Sequence, residues 1–212
     1  MTWSEVAIVV VAVLALLVWS AWVAASRLDR LHRKVGASRA VVDAQLVRRA
    51  TVAAELATSG LLDPASTVLL GEAAWAALSA GGDHAAGALP ADVRALLGPT
   101  ATGTTAGRAA PVVDRGQVES ELSATLRAVL DDPDEVAALR ADPAGDELLS
   151  ALASTWYRVQ LARRFHNEAV AQTVRVRRGA FVRLLRLAGH APQPRTLELD
   201  DTPPQALGAG RS

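Results

Sequence analysis

The chain has 212 residues, a formal net charge of zero and no cysteine. The absence of cysteine excludes disulfides, thiolate metal ligands and cysteine nucleophiles. Half of the residues are hydrophobic but only 4% are aromatic, so we predict a core of closely packed helices and an all-α fold. The charges are segregated, with basic stretches at 27–49 and 158–186 and an acidic stretch at 119–147.

An uninterrupted apolar segment at 6–25 is the clearest feature of the sequence. It contains no charged residue, and about twenty helical residues span about 30 Å, the thickness of a bilayer hydrocarbon core. We therefore predict a transmembrane helix at 6–25 after a short extracytoplasmic N-terminus at 1–5. The alternatives are a buried soluble helix, which usually keeps a polar stripe, and a cleaved signal peptide, which usually has a basic leader.

Basic residues follow the apolar segment and none precedes it. The positive-inside rule then predicts a single-pass protein of the plasma membrane with its body in the cytoplasm. A second stretch, 175–187, is both basic and amphipathic, and we expect it to return to the same lipid surface; a solvated face is the alternative. The membrane-surface candidates are Arg27, Arg30, Arg33, Lys34, Arg175, Arg177, Arg178, Arg183 and Arg186.

Helical patterns continue beyond the apolar segment. A first long helix and a helical hairpin are predicted for 26–80, because proline is absent from the first part and Asp63-Pro64 has the pattern of an N-cap and an N1 proline. Apolar residues at three- and four-residue steps predict coiled-coil packing. Gly81-Gly82 is expected to end the hairpin and to open a flexible loop at 81–116.

Helical periodicity returns at 117–189, where we predict the remainder of an antiparallel helical bundle. Asp132-Pro133 and Asp142-Pro143 each have the pattern of a helix start. The last long helix is expected to reach at least Arg178. The segment 190–212 lacks periodicity and contains several prolines, which predicts a disordered tail.

Two segments resemble the LemA family of bacterial membrane proteins. Segment 39–50, RAVVDAQLVRRA, is similar to a D-x-Q-L-x-R-R run that follows the family's membrane helix. Segment 162–170, ARRFHNEAV, is similar to an A-R-x-x-Y-N-E-A-V run, with Phe165 or His166 in the place of the tyrosine. The family ending I-R-R-F-P is replaced by VRRGAF at 176–181. The resemblance covers the anchor and the two long helices and implies a membrane-tethered antiparallel helical bundle.

The polar residues of these two segments are candidates for structural or interaction roles. If the two long helices lie side by side, Arg48 or Arg49 is expected to pair with Glu168. Such a pair would fix the register of the bundle, and a ligand site is the alternative. The full candidate set is Asp43, Gln45, Arg48, Arg49, Arg163, His166, Asn167 and Glu168.

Few residues have the spacing that catalysis requires. His166 lies near Glu168, but no serine or second carboxylate stands at a spacing that completes a catalytic set. The other histidines are scattered without metal-ligand spacing, and the glycine-rich loops lack a nucleotide-binding context. We therefore expect no enzyme activity, no cofactor, no metal, no small-molecule substrate and no nucleic-acid partner.

The sequence thus predicts a membrane-anchored, cytoplasmic-facing helical scaffold of the LemA type. Its expected partners are the lipid bilayer and a protein, bound through the acidic section 119–147, or a second copy of the chain. One alternative is an envelope-associated enzyme, or an accessory subunit of one, with a site around His166 and Glu168. Another is a membrane-tethered regulator or sensor whose loop at 81–116 changes state on binding.

Overall fold

The computed structural model describes residues 3–88, 114–179, 182–183 and 193–208. Of the described residues, 85% lie in helices and none lies in a strand, which confirms the predicted all-α class. The described helices are α1 Trp3–Thr58, α2 Pro64–Ala88, α3 Arg115–Val129, α4 Pro133–Ala141, α5 Pro143–Arg177 and α6 Gln205–Gly208.

The chain divides into two compact units, each assembled from separate stretches. Unit 1 consists of Met1–Arg39 and Phe165–Thr196, and unit 2 consists of Ala40–Arg164 and Leu197–Ser212. Helices α1 and α5 each contribute residues to both units.

In unit 1, helix α1 carries the apolar segment 6–25. It is long and apolar enough to cross a membrane, with a mean hydropathy of 2.8 over the most apolar window and none of that window buried. Its large side chains are exposed, including Trp19 and Trp22, whose ring centroids lie 5.8 Å apart. Burial begins further along the same helix, at Leu28 and Leu31.

Unit 2 has a continuous hydrophobic core to which α1 to α6 all contribute. Large buried side chains include Leu56 of α1, Leu70 of α2, Leu122 of α3 and Trp156 of α5, and α6 adds Leu207. The remaining space is filled by alanines of α1 and α2, so these helices approach closely, as the composition predicted. A smaller cluster joins α1 and α5 through Val42, Leu46, Val159, Ala162 and Leu197.

The three Asp-Pro pairs begin helices, as predicted. The carboxylate of Asp63 accepts the backbone N–H groups of Ala65 at 2.9 Å and Ser66 at 3.1 Å, and the hydrogen bonds from Ser66 lower the pKa of Asp63. Asp132 and Asp142 cap α4 and α5 in the same way. Each carboxylate satisfies amides that the first turn of a helix leaves without partners.

The predicted end of the helical hairpin is wrong. Helix α2 passes through Gly81-Gly82 and continues to Ala88, because Gly81 is a packing position rather than a helix terminator. A Cβ atom on Gly81 would lie 2.9 Å from Cγ2 of Val47. The predicted loop 81–116 also ends too late, since α3 begins at Arg115 with Asp114 as its N-cap. Residues 89–113 of that loop lie outside the described residues.

The predicted disordered tail is wrong for residues 193–208. Leu197 and Leu207 are buried, and residues 205–208 form helix α6. Residues 197–208 belong to unit 2, and we call them the closing segment. Residues 197–204 lack helical periodicity because they are not helical, and contacts with α3 and α5 order them.

Candidate functional site

Arg49, from the first LemA-like segment, lies at the centre of unit 2 and is completely buried. Its guanidinium donates to Oε2 of Glu119 at 2.8 Å, to the Glu119 backbone oxygen at 3.0 Å and to Oγ of Ser123 at 3.0 Å. Its Cζ atom lies 4.9 Å from the centroid of the Trp156 ring. Residues of α3 and α5 therefore hold the guanidinium of an arginine that belongs to α1.

Burial lowers the pKa of Arg49, and the charge and hydrogen bond of Glu119 oppose that shift. An arginine guanidinium nevertheless keeps its proton in proteins. The contact with Glu119 is therefore an ion pair at neutral pH.

A second ion pair extends this network. Nη1 of Arg115 lies 2.8 Å from Oδ1 of Asp43, and Nε of Arg115 lies 3.7 Å from Oε1 of Glu119. Glu119 thus stands between Arg49 and Arg115, and the two cations balance the two carboxylates. We call these four residues the buried ionic network. It connects α1 to α3 and defines their register, because a shift along either helix would leave a buried charge unpaired.

The predicted pairing of Arg49 with Glu168 is wrong, because Glu119 is the partner of Arg49. Arg48 is exposed on α1 and Glu168 is exposed on α5, where water solvates their charges. Glu119 lies outside both LemA-like segments, so the resemblance gives no indication of this partner. A usable signal was present, since Glu119 interrupts the apolar stripe that contains Leu122 and Leu126.

The remaining candidates of unit 2 have different surroundings. Arg163 forms a bidentate ion pair with Asp201, with Nε to Oδ2 at 2.9 Å and Nη2 to Oδ1 at 3.0 Å. The backbone oxygen of Asp201 also accepts hydrogen bonds from Nε1 of Trp156 and Nε2 of Gln160, both at 2.8 Å. Gln45 is half-buried in α1. Arg163 is therefore a structural residue that anchors the closing segment to α5.

Asp200 anchors the same segment to α3. Its carboxylate lies 2.6 Å from Nη2 of Arg127, and its backbone N–H donates to Oγ of Ser120 at 2.9 Å. The backbone N–H of Thr202 lowers the pKa of Asp200, and the hydrogen bond and charge of Arg127 lower it further. Neither aspartate was a candidate from sequence, because both lie in a segment that was predicted to be disordered.

His166 is buried in unit 1, where its Nδ1 atom lies 3.0 Å from Oγ of Ser38. The Ser38 hydroxyl also lies 2.9 Å from the backbone oxygen of Val35, which can accept its hydrogen. Which atom donates in the contact between Ser38 and His166 depends on the imidazole tautomer. The contact joins α1 to α5, while Asn167 is half-buried and Glu168 is exposed.

The two basic stretches meet within unit 1. Nη1 of Arg177, near the end of α5, lies 3.2 Å from Nε2 of His32 on α1. Arg33 forms an exposed ion pair with Asp29 at 2.7 Å, and Arg186 lies outside the described residues. The other membrane-surface candidates are exposed: Arg27, Arg30, Lys34, Arg175, Arg178 and Arg183.

The acidic section 119–147 is only partly a surface. Glu119 belongs to the buried ionic network, so its carboxylate is not available to a partner. The exposed carboxylates of the section belong to Glu121, Asp131, Asp132, Asp134, Glu135, Asp146 and Glu147. Within the part of the chain that the structure describes, no group of three or more acidic or histidine side chains is arranged to hold a metal ion.

Comparison with known proteins finds no matching family model, no matching curated protein and no matching solved structure. The resemblance to the LemA family therefore depends on the two short segments alone.

Proposed function

We propose that the protein is a membrane-anchored helical scaffold of the LemA type without catalytic activity. The observation that carries this proposal is the composition of helix α1. No residue of its apolar segment at 6–25 is buried, whereas Leu46 and Leu56 of the same helix are fully buried in unit 2. A bilayer would cover the exposed apolar surface, and the folded unit would be tethered without an intervening linker.

The contacts of unit 1 support the antiparallel, coiled-coil-like packing that the resemblance implies. Ser38 contacts His166, and His32 contacts Arg177. The residue that is earlier on α1 meets the residue that is later on α5. Two helices whose contacts occur in this reversed order run in opposite directions.

The distribution of charge supports an orientation with the body in the cytoplasm at the plasma membrane. Arg27, Arg30 and Lys34 follow the apolar segment and are exposed, while Glu5 is the charged side chain of the first turn of α1. Trp19 and Trp22 lie close to the basic end of the segment, where aromatic side chains fit the interface between lipid and water.

Unit 2 offers two surfaces to a protein partner or to a second copy. One is the set of exposed carboxylates around α4, which includes Asp131, Asp134 and Glu135 and suits a basic partner. The other is an apolar patch on α2, where Val68 and Trp75 are strongly exposed. Large apolar side chains that remain in contact with water commonly mark interaction sites.

The anchor and its orientation can be tested by labelling single introduced cysteines, because the chain has no native cysteine. Ser4→Cys tests the N-terminal side, and Ser154→Cys tests an exposed site on α5. We expect an impermeant maleimide to label Ser4→Cys in intact cells and Ser154→Cys only after permeabilisation. The opposite pattern would contradict the orientation, and extraction of the full chain by alkaline carbonate would contradict the anchor.

The partner surface can be tested by proximity labelling from the full-length protein in cells. We expect neutralisation of three exposed carboxylates, Asp131→Asn, Asp134→Asn and Glu135→Gln, to abolish labelling of a reproducible membrane or envelope partner. A matched control neutralises two exposed carboxylates of unit 2 outside both surfaces, Glu55→Gln and Glu198→Gln. Equal partner labelling by the two variants would exclude the acidic surface, and labelling of background proteins alone would overturn the scaffold role.

A further inference from the structure

Three arginines line an open groove in unit 1 that the proposed scaffold function does not use. Arg175 lies in the last turn of α5, Arg178 directly follows the end of that helix, and Arg195 comes from the segment that precedes residue 197. The groove has a volume of about 1030 Å³, which is at the upper limit of the usual size of ligand sites, about 300–1,000 Å³. Its other lining residues are Val170, Ala171, Val174, Gln193, Pro194 and Thr196.

The groove carries a concentrated positive charge. Among the described residues that line it, none is acidic, and none of the three guanidinium groups forms an ion pair or hydrogen bond with another described residue. Like charges that line one groove repel each other, and an anion bound between them would remove that repulsion. The planar donors of arginine fit the oxygens of a phosphate group, which they can bind in bidentate fashion.

Apolar residues of α5 also line the groove. Ala171 is exposed and Val174 is half-buried, while Val170, one turn before Val174, is buried. A small inorganic anion would gain nothing from these residues, whereas an amphipathic ligand could place its apolar part against Ala171 and Val174. The groove therefore has the chemistry of a site for a phosphate that is attached to a hydrocarbon chain.

The position of the groove within unit 1 is consistent with such a ligand. Arg177, which lies between Arg175 and Arg178, contacts His32 at 3.2 Å. His32 is about two helical turns beyond the apolar segment 6–25, a distance of about 10 Å along α1. The groove would therefore lie near the headgroup region of a bilayer that contained this segment.

We propose that this groove binds the headgroup phosphate of an anionic phospholipid, with Arg175, Arg178 and Arg195 as the phosphate ligands. The proposal rests on the membrane placement argued above and adds a specific site to it. A headgroup held in this way would fasten the end of α5 to the lipid surface.

The test is native mass spectrometry of the full-length protein released from detergent that contains either phosphatidylglycerol or phosphatidylcholine. We expect one phosphatidylglycerol molecule to remain bound, with an affinity about tenfold or more above that for phosphatidylcholine. The triple variant Arg175→Gln, Arg178→Gln, Arg195→Gln should lose this preference. Circular dichroism of the variant should keep the helical signal, since Arg175, Arg178 and Arg195 are exposed.

A matched control removes three exposed cations from the other basic stretch of unit 1: Arg27→Gln, Arg30→Gln and Lys34→Gln. This control should retain the bound lipid, and equal loss in both triple variants would overturn the groove in favour of general charge attraction. Glycerol phosphate, added without lipid, separates the two sources of phosphate. Binding of glycerol phosphate as tight as that of phosphatidylglycerol would overturn the lipid assignment. The lipid measurement uses detergent-solubilised protein and is independent of the carbonate extraction. Loss of lipid preference would therefore overturn the groove proposal without contradicting the membrane anchor.

Discussion

Arg49 and Glu119 form an ion pair at 2.8 Å, and both side chains are almost completely excluded from solvent, with exposures of 0% and 1%. The pair joins residues that are 70 positions apart in the chain. Two charges buried at this depth tolerate the loss of one partner poorly, because the remaining charge has neither a counter-ion nor water.

We first predict that Glu119→Gln lowers the free energy of unfolding by about 3–5 kcal/mol, because the charge of Arg49 then loses its counter-ion. The measurement is urea unfolding of the full-length protein in mild detergent, followed by circular dichroism. Glu121→Gln is the control, since Glu121 is exposed on the same helix. The double variant Arg49→Met, Glu119→Leu should recover most of the loss. A double variant as unstable as Glu119→Gln would show that the charges are not the cause.

A second prediction concerns Gly81, whose added Cβ would lie 2.9 Å from Cγ2 of Val47 and 3.4 Å from Nη2 of Arg115. We expect Gly81→Ala to destabilise unit 2 by about 1–3 kcal/mol through overpacking. The double variant Gly81→Ala, Val47→Ala should regain this lost stability, because the shorter side chain makes room for the added Cβ. The control is Gly71→Ala on the same helix, where a Cβ would make an ordinary contact of 4.0 Å with Ala57. Because alanine favours a helix over glycine, Gly71→Ala should stabilise by up to about 1 kcal/mol.

The third prediction tests the closing segment through Leu207, which is buried with 6% exposure in the core of unit 2. We expect Leu207→Ala to cost about 2–3 kcal/mol in unfolding free energy, because a buried leucine loses its contacts and leaves a cavity. Leu161→Ala is the matched control, since Leu161 is 39% exposed and should lose much less. The measurement is thermal or urea unfolding. If Leu207→Ala and Leu161→Ala lower the free energy of unfolding by the same small amount, the closing segment does not pack as described.

The fourth prediction concerns acid. The pKa of Asp200 is lowered from 3.8 by the hydrogen bond from Thr202 and by Arg127, so its charged form is favoured in the folded state. The stabilising contribution is therefore complete above about pH 3.8 and is lost as the pH falls from there through the lowered folded value. We expect amide hydrogen exchange in residues 197–208 to quicken in that range, after correction for intrinsic rates. Asp200→Ala should show quickened exchange already at neutral pH, and an unchanged profile in this variant would contradict the role of Asp200.

The sequence predicted the local features of the fold better than the long-range ones. The starts at Asp63, Asp132 and Asp142 were predictable because an N-cap and the proline that follows it act within a single turn. Gly60, which has a φ of 76°, follows the end of α1 for the same local reason. The predicted role of Gly81 as a helix terminator was wrong. Glycine is needed there to leave room for Val47, which lies on another helix, so the sequence around Gly81 does not indicate this contact.

The same limit applies to the candidate site. Arg49 and Asp43 were recognised as candidates from the LemA-like segment, but their partners Glu119 and Arg115 belong to a different helix. Helical periodicity shows which face of a helix is buried and does not show which helix covers that face. The closing segment has no periodicity at all, so the contact between Arg163 and Asp201 could be found only in three dimensions.

The closing segment also constrains the order in which the chain can fold. Unit 2 is formed by Ala40–Arg164 and Leu197–Ser212, and unit 1 supplies the intervening residues Phe165–Thr196. Synthesis must therefore pass through a part of unit 1 before the indole of Trp156 can meet the backbone oxygen of Asp201. Contacts between such distant residues slow folding, and a chain interrupted between 165 and 196 would lack the contacts of Leu207 and Ala206 with the core of unit 2. The apolar surface that these residues cover would then meet water, and exposed apolar surface promotes aggregation and attracts chaperones.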